Sequence, residues 1–227
     1  MSYPKVVFIA IILFLILLAC GQKTERNAQA LSDSQKDSIY TSMLIKHLQK
    51  NFDDIHDVSM RFHHKDHSLN GLIVIKMKWK DGSLQSAEVD SNETGDAEFG
   101  SELIKKMEMW NISGLDGPFE TWLPLRIKII GSDDPNFEER GIITGRVTNE
   151  KGIPIREAKV EFTPRQTDAD SVRFALTNRE GIFVRTLITP GIWDVRFSCG
   201  GYKSAMLSGI KLAKGSHYRA ETVMEAE

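Results

Sequence analysis

Two cysteines in 227 residues, Cys20 and Cys199, cannot make a disulfide framework. Cys20 closes an apolar run at the N terminus, and if it is consumed there Cys199 has no partner in the chain. Folding must then rest on apolar burial, even in an oxidising compartment. Charge of one sign is missing too. The chain carries 29 Lys and Arg against 31 Asp and Glu, with no block of like charge. That excludes the basic footprint a nucleic-acid partner requires. Catalytic patterns are also absent. None of the six histidines has a Glu three positions later, so the ligand pair of a zinc peptidase is missing. No Ser-His-Asp or Cys-His arrangement stands at usable spacing. Gln22 to Ser34 holds no proline, which excludes a stiff extended spacer there. The absences together predict a non-enzymatic protein without a cofactor.

What is present begins with location. Lys5 precedes an unbroken apolar run from Val6 to Ala19, followed by Cys20-Gly21. A positive start, a short apolar core and a small residue before the cut make a secretory signal. The run is shorter than the roughly 20 residues a spanning helix needs. Leu17-Leu18-Ala19-Cys20 resembles a bacterial lipobox. That resemblance implies removal of residues 1–19 and attachment of membrane lipid at Cys20. Acyl chains contribute about 0.8 kcal/mol per buried CH₂, so two or three of them hold a soluble body at a membrane face. Residues 20–34 then read as the lipidated Cys and a polar, flexible tether. The 207 residues beyond Cys20 suit two modest domains.

The first unit is expected over residues 35–131. Leu44, Leu48, Phe52, Ile55 and Phe62 lie on one helical face, predicting helix from about Ser34 to His64 with a break near Asn51-Phe52-Asp53. The period then changes. Ile73, Ile75, Met77 and Trp79 alternate with Lys76, Lys78 and Lys80, the pattern of a strand with one buried and one wet face. Asp81-Gly82 suits a two-residue hairpin turn with positive φ at both positions. The return strand carries Leu84, Ala87 and Val89, and its slipped parity predicts a bulge. Asp96 caps a second helix whose Phe99, Leu103, Met107 and Trp110 share a face. A last strand holds Leu125, Ile127 and Ile129 in phase, with Pro124 at an edge or a strand start. Asn70-Gly71-Leu72-Ile73-Val74, Asp81-Gly82, the helix ending in Trp110 and Pro124-Leu125-Arg126-Ile127 together resemble the TonB C-terminal superfamily. The AgmX/PglI C-terminal domain is closer still. That family's usual helix Cys falls at Val58, so its disulfide is absent. The resemblance implies an envelope interaction module, which could add a partner strand at an open sheet edge.

His56, His63, His64 and His67 fall within twelve positions. On a helix that reached far enough, His56, His63 and His67 would share a face and form a candidate zinc or copper site. A helix C-terminus also favours His and Lys through its dipole and free carbonyls. That plainer reading is preferred, so no metal is expected.

Residues 132–140 are polar, with Gly131 just before them and Pro135 among them, and read as a linker. Beyond them, over 141–227, seven short β runs alternate with turn signals at Asn149-Glu-Lys-Gly152, Asn178-Arg-Glu-Gly181, Pro190-Gly191 and Gly200-Gly201. This spacing predicts an antiparallel β-sandwich. Gly145-Arg-Val147, Gly152-Ile-Pro154, Ala158-Lys-Val160, Gly181-Ile-Phe183, Pro190-Gly191-Ile-Trp193-Asp-Val195 and Gly201-Tyr202-Lys203 resemble the carboxypeptidase regulatory-like domain, a transthyretin-like sandwich. The resemblance is to the accessory domain of certain peptidases and implies no catalysis. Val147, Val160, Phe183, Trp193 and Val195 are expected inward. Cys199 reads as a small buried hydrophobe. Asp168 and Asp170 form an acidic loop that could hold Ca²⁺ but reads as solvated.

The sequence therefore predicts an α+β unit followed by an all-β sandwich of about seven strands. Its expected role is a lipid-anchored interaction or scaffold protein of the bacterial envelope, favouring the outer membrane, with protein or glycan partners. The alternative is a TonB-like membrane transducer or motility-complex component that keeps Val6 to Ala19 as an anchor.

Overall fold

The computed structural model describes residues 33–165 and 172–227. Cys20, the tether before Asp33 and the Asp168–Asp170 loop lie outside them. Among the described residues no helix is long and apolar enough to cross a membrane.

The first hydrophobic core forms around one strand, β1 (Gly71–Lys80), whose Ile73, Ile75, Met77 and Trp79 are buried in register. It is the middle of a three-stranded antiparallel sheet, between β2 (Ser83–Asn92) and β3 (Phe119–Ile127). Asp81 and Gly82 both take positive φ (49° and 77°) and close the β1–β2 hairpin. The β1–β2 register shifts twice, once between Leu84 and Ser86 and once between Val89 and Ser91. The strand thus changes face where its parity slips. Pro124 is tolerated because β3 is an edge strand.

Helices α1 (Asp33–Lys50), α2 (Phe52–Lys65) and α3 (Ala97–Met107) contribute their apolar faces to this core. Asn51 ends α1, its amide Nδ2 donating to the carbonyl of His47 at 3.0 Å. Asp96 caps α3, accepting from the N–H of Phe99 at 3.0 Å. The helix stops at Met107, so Trp110 closes the core from the turn beyond it rather than from the helix itself. Gly100 lets α3 approach the sheet. A Cβ there would stand 2.7 Å from Cγ2 of Val89 and 3.1 Å from Cδ1 of Ile73. The last strand stops at Ile127, and Ile129 is buried outside it.

The second core lies between two sheets. One has the order β10-β4-β7 and the other β6-β5-β8-β9. Their strands are β4 (Gly141–Asn149), β5 (Lys159–Pro164), β6 (Arg173–Leu176), β7 (Ile182–Ile188), β8 (Gly191–Ser198), β9 (Ala205–Leu212) and β10 (His217–Met224). Val147, Val160, Phe183, Trp193 and Val195 are all fully or nearly fully buried. Phe183 packs between Phe162 and Phe197 with ring centroids 6.0 and 5.9 Å away. The sandwich is not wholly antiparallel, because β10 runs parallel to β4. No hairpin joins these two strands, so nothing in the connection imposes opposite directions. Cys199 is only half-buried against this core, less enclosed than its expected role as a buried hydrophobe.

Between the two cores, residues 132–140 include one 3₁₀ turn, Phe137–Glu139. The cores do not stand apart. Helix α2 lies against β7, and polar groups from both sides meet along it.

Candidate functional site

Helix α2 carries two kinds of residue. Its apolar face, with Ile55, Val58 and Phe62, enters the first core, while Asp54, Asp57, Arg61 and His64 face the sandwich. The sandwich answers with the turn between β6 and β7. There Asn178 Oδ1 accepts from the N–H of Glu180 and of Ile182 at 3.0 and 2.8 Å, and Gly181 takes φ 73°. This turn projects Arg179 at α2. Its guanidinium bonds Asp54 Oδ1 at 2.8 Å and Asp57 Oδ2. Asp57 is 3% exposed, so Arg179 is the charge that makes its burial tolerable. Arg61 extends the row, pairing with Glu180 of the turn at 3.5 Å and with Glu102 of α3 at 3.2 Å. Burial alone would raise Asp54, but bonds from the Trp110 indole N–H (3.0 Å) and from Arg179 hold it below the usual carboxylate range.

A cavity of about 540 Å³ opens beside this clasp, between α2 and β6–β7. Its walls include Asp53, His56 and Arg156, together with exposed apolar side chains. Ile130 is 53% exposed, Phe174 46% and Leu176 61%. Phe174 and Leu176 belong to β6, which among the described residues pairs with β5 alone and is an edge strand. Exposed apolar residues gathered at an unpaired edge mark a surface suited to binding.

At the other end of α2 the contact is a chain of hydrogen bonds. Thr144 Oγ1 on β4 lies 2.9 Å from His64 Nδ1 and 2.8 Å from His217 Nε2 on β10. His64 Nε2 lies 3.0 Å from Glu221 Oε1. With His64 neutral, one placement of protons satisfies every atom. Glu221 only accepts, so His64 donates from Nε2 and accepts at Nδ1. The Thr144 hydroxyl then donates to His64 and accepts the N–H of His217. The ring of His67 lies beside that of His217, centroids 4.6 Å apart, and the Arg219 guanidinium donates to the carbonyl of Lys65. The order Thr144–His64–Glu221 is that of a nucleophile, a base and an orienting carboxylate. Thr144 is 0% exposed and does not line the cavity, so no substrate can reach the hydroxyl. The chain ties the two cores together.

Of the histidine candidates, His56 and His63 both line the cavity, while His67 lies against His217. His56 lines the cavity, with the Phe52 ring 6.0 Å away, and burial lowers its pKa. His63 is buried with Nε2 3.0 Å from the carbonyl of Leu69, and burial lowers it as well. His67 is not on the helix. Asp66 ends α2 in an extended conformation and binds the N–H and hydroxyl of Ser68, which turns His67 towards β10. Among the described residues no group of three or more His, Cys, Asp or Glu is placed to hold a metal ion. His64, Thr144, Glu221, His217 and Arg179 were not legible as a site. His64 is 80 residues from Thr144 and 157 from Glu221, and no local pattern signals such a meeting.

A comparison with curated proteins gave no match. Among solved structures, a candidate carbohydrate-binding protein from Bacteroides uniformis is 10% identical, aligned over 37% of this chain and 40% of its own, with a TM-score of 0.31. One from Pseudomonas aeruginosa is 15% identical over 38% of this chain and 90% of its own, with a TM-score of 0.29. Chlorocatechol 1,2-dioxygenase from Pseudomonas putida is 10% identical over 40% and 62%, with a TM-score of 0.32. The first of these is matched over less than two thirds of its own length. At these scores none assigns a fold or an activity to this chain. Residues 142–225, the span of the sandwich, match the profile of the carboxypeptidase regulatory-like domain.

Proposed function

We propose that the chain is a non-catalytic binding or scaffold protein of the bacterial envelope, held to a membrane by acylated Cys20, with residues 35–131 a TonB C-terminal-like interaction domain. The observation that carries the binding reading is the cavity beside α2, where Ile130, Phe174 and Leu176 stay exposed along the edge strand β6. Exposed apolar side chains beside a strand edge suit an extended protein segment, which would gain backbone hydrogen bonds from the edge and seat alternate side chains in the cavity. The match of residues 142–225 to a regulatory-like, non-catalytic domain supports the same reading.

A photo-crosslinking residue at Leu176 in the full-length chain, expressed in its own cells, tests this. It should yield one defined adduct that Ile130→Asp removes, while the same probe at exposed Met109 yields none. No adduct, or the same adduct from both positions, sinks the reading. The anchor is tested separately. Palmitate labelling should mark the wild-type chain and not Cys20→Ala, and a wild-type N-terminal peptide that begins at Met1 or Ser2 without lipid rules the anchor out.

A further inference from the structure

His67, just past the end of α2, and His217 of β10 set their rings 4.6 Å apart across the contact of that helix with the sandwich. A proton added to His217 would place a cation beside the His67 ring and beside Arg219. The surrounding charge offers little relief. From β10 come Arg219 and the exposed Glu221. From the end of α2 come Lys65, already paired with Glu98 of α3, and Asp66, already bonded to Ser68. β4 contributes the Thr144 hydroxyl and Arg146, the cross-strand neighbour of Glu221.

We infer that this contact is an acid-sensitive latch, so that mild acid releases the end of α2 from β4 and β10 while both cores stay folded. The inference does not depend on what the cavity binds. Burial first, then His67, Arg219 and His64, lower His217 from the ordinary 6.5 to about 4, against a smaller upward pull from Asp66. The docked state therefore binds fewer protons than the released state. Docking is strongest above about pH 6.5 and weakens as pH falls towards 4. From pH 7 to 5, His217 alone shifts the docked-to-released ratio by about 20-fold. His56, lowered by its own burial, adds in the same direction if separation wets it. The Arg179 clasp resists, because Asp54 is held below the usual carboxylate range and stays charged through this window. Opening thus begins at the histidine end.

The test is hydrogen–deuterium exchange of the full-length chain in detergent at pH 7 and pH 5, corrected for intrinsic rates. Peptides from the end of α2 and from β10 should lose about tenfold or more protection at pH 5, while peptides from β1 and β8 hold theirs. His217→Gln, which keeps a donor towards Thr144 but cannot gain a proton, should remove most of this response. His67→Gln, which takes away one of the groups holding His217 down, should reduce it. Unchanged protection in the wild type, an undiminished response in His217→Gln, or equal loss in β1 and β8 would each overturn the latch.

Discussion

Arg179, in a turn of the sandwich, clasps Asp57 of helix α2 across 122 residues of sequence. Asp57 is buried and Arg179 part-exposed, so the two ends of the pair are not equivalent. Arg179→Met leaves a buried carboxylate without its cation. The expected cost is about 2–3 kcal/mol, below the usual figure for a fully buried pair because solvent reaches the arginine. Adding Asp57→Leu should recover much of that loss, and urea unfolding of the single and double variants measures it. A double variant as unstable as the two single effects summed would show that the groups act independently.

Asp54 gives the first core a pH signature. Its carboxyl is held low by Trp110 and Arg179, so the stabilisation is present above the ordinary carboxylate range and is lost as pH falls through the depressed value. Trp110→Phe removes the indole N–H that Asp54 accepts. The expected cost is about 1 kcal/mol at neutral pH, shrinking towards pH 2, with an upward move of the Asp54 titration by NMR. An unmoved titration would mean that Arg179 alone sets it.

Gly100 tests packing against propensity. In an exposed helix Gly→Ala would stabilise by about 1 kcal/mol. Here the added methyl meets Val89 and Ile73, both stiff β-branched side chains in the sheet. Gly100→Ala should therefore destabilise, by about 1–2 kcal/mol on thermal unfolding. Stabilisation would show that α3 can shift outward at little cost.

Thr144 separates a hydrogen-bonding role from a filling one. Thr144→Val keeps the shape but leaves His64 Nδ1 and the His217 N–H without their shared partner. It should lower stability by about 1–3 kcal/mol at neutral pH, while Thr144→Ser should stay within about 1 kcal/mol of wild type. Equal effects of the two changes would place the role of Thr144 in packing alone.

Local chemistry explains which elements could be read from the chain. Asp81-Gly82 is legible because a turn with two positive φ values admits few residues. The β1 alternation is legible because a half-buried strand repeats every two residues. Asp96 announces α3, and the seven β runs after residue 141 correspond to the seven described strands of the sandwich. The reading fails where tertiary contact decides. The spacing of His63 and His67 suggests a shared helical face, but Asp66 leaves the helix first. An antiparallel sandwich follows from hairpin signals, yet β4 and β10 share no hairpin and run parallel.

The sequence by itself determined the elements, the two apolar patterns that become separate cores, and the family profile matched by residues 142–225. Those depend on periodicity and turn chemistry, which act over a few residues. Only the tertiary structure decided how α2 lies on the sandwich. The resulting cavity, the Arg179 clasp and the hydrogen-bonded chain through Thr144 each join residues far apart in sequence. Such contacts leave no local pattern, because each side chain alone is an ordinary surface aspartate, arginine, threonine or histidine until the opposite face arrives.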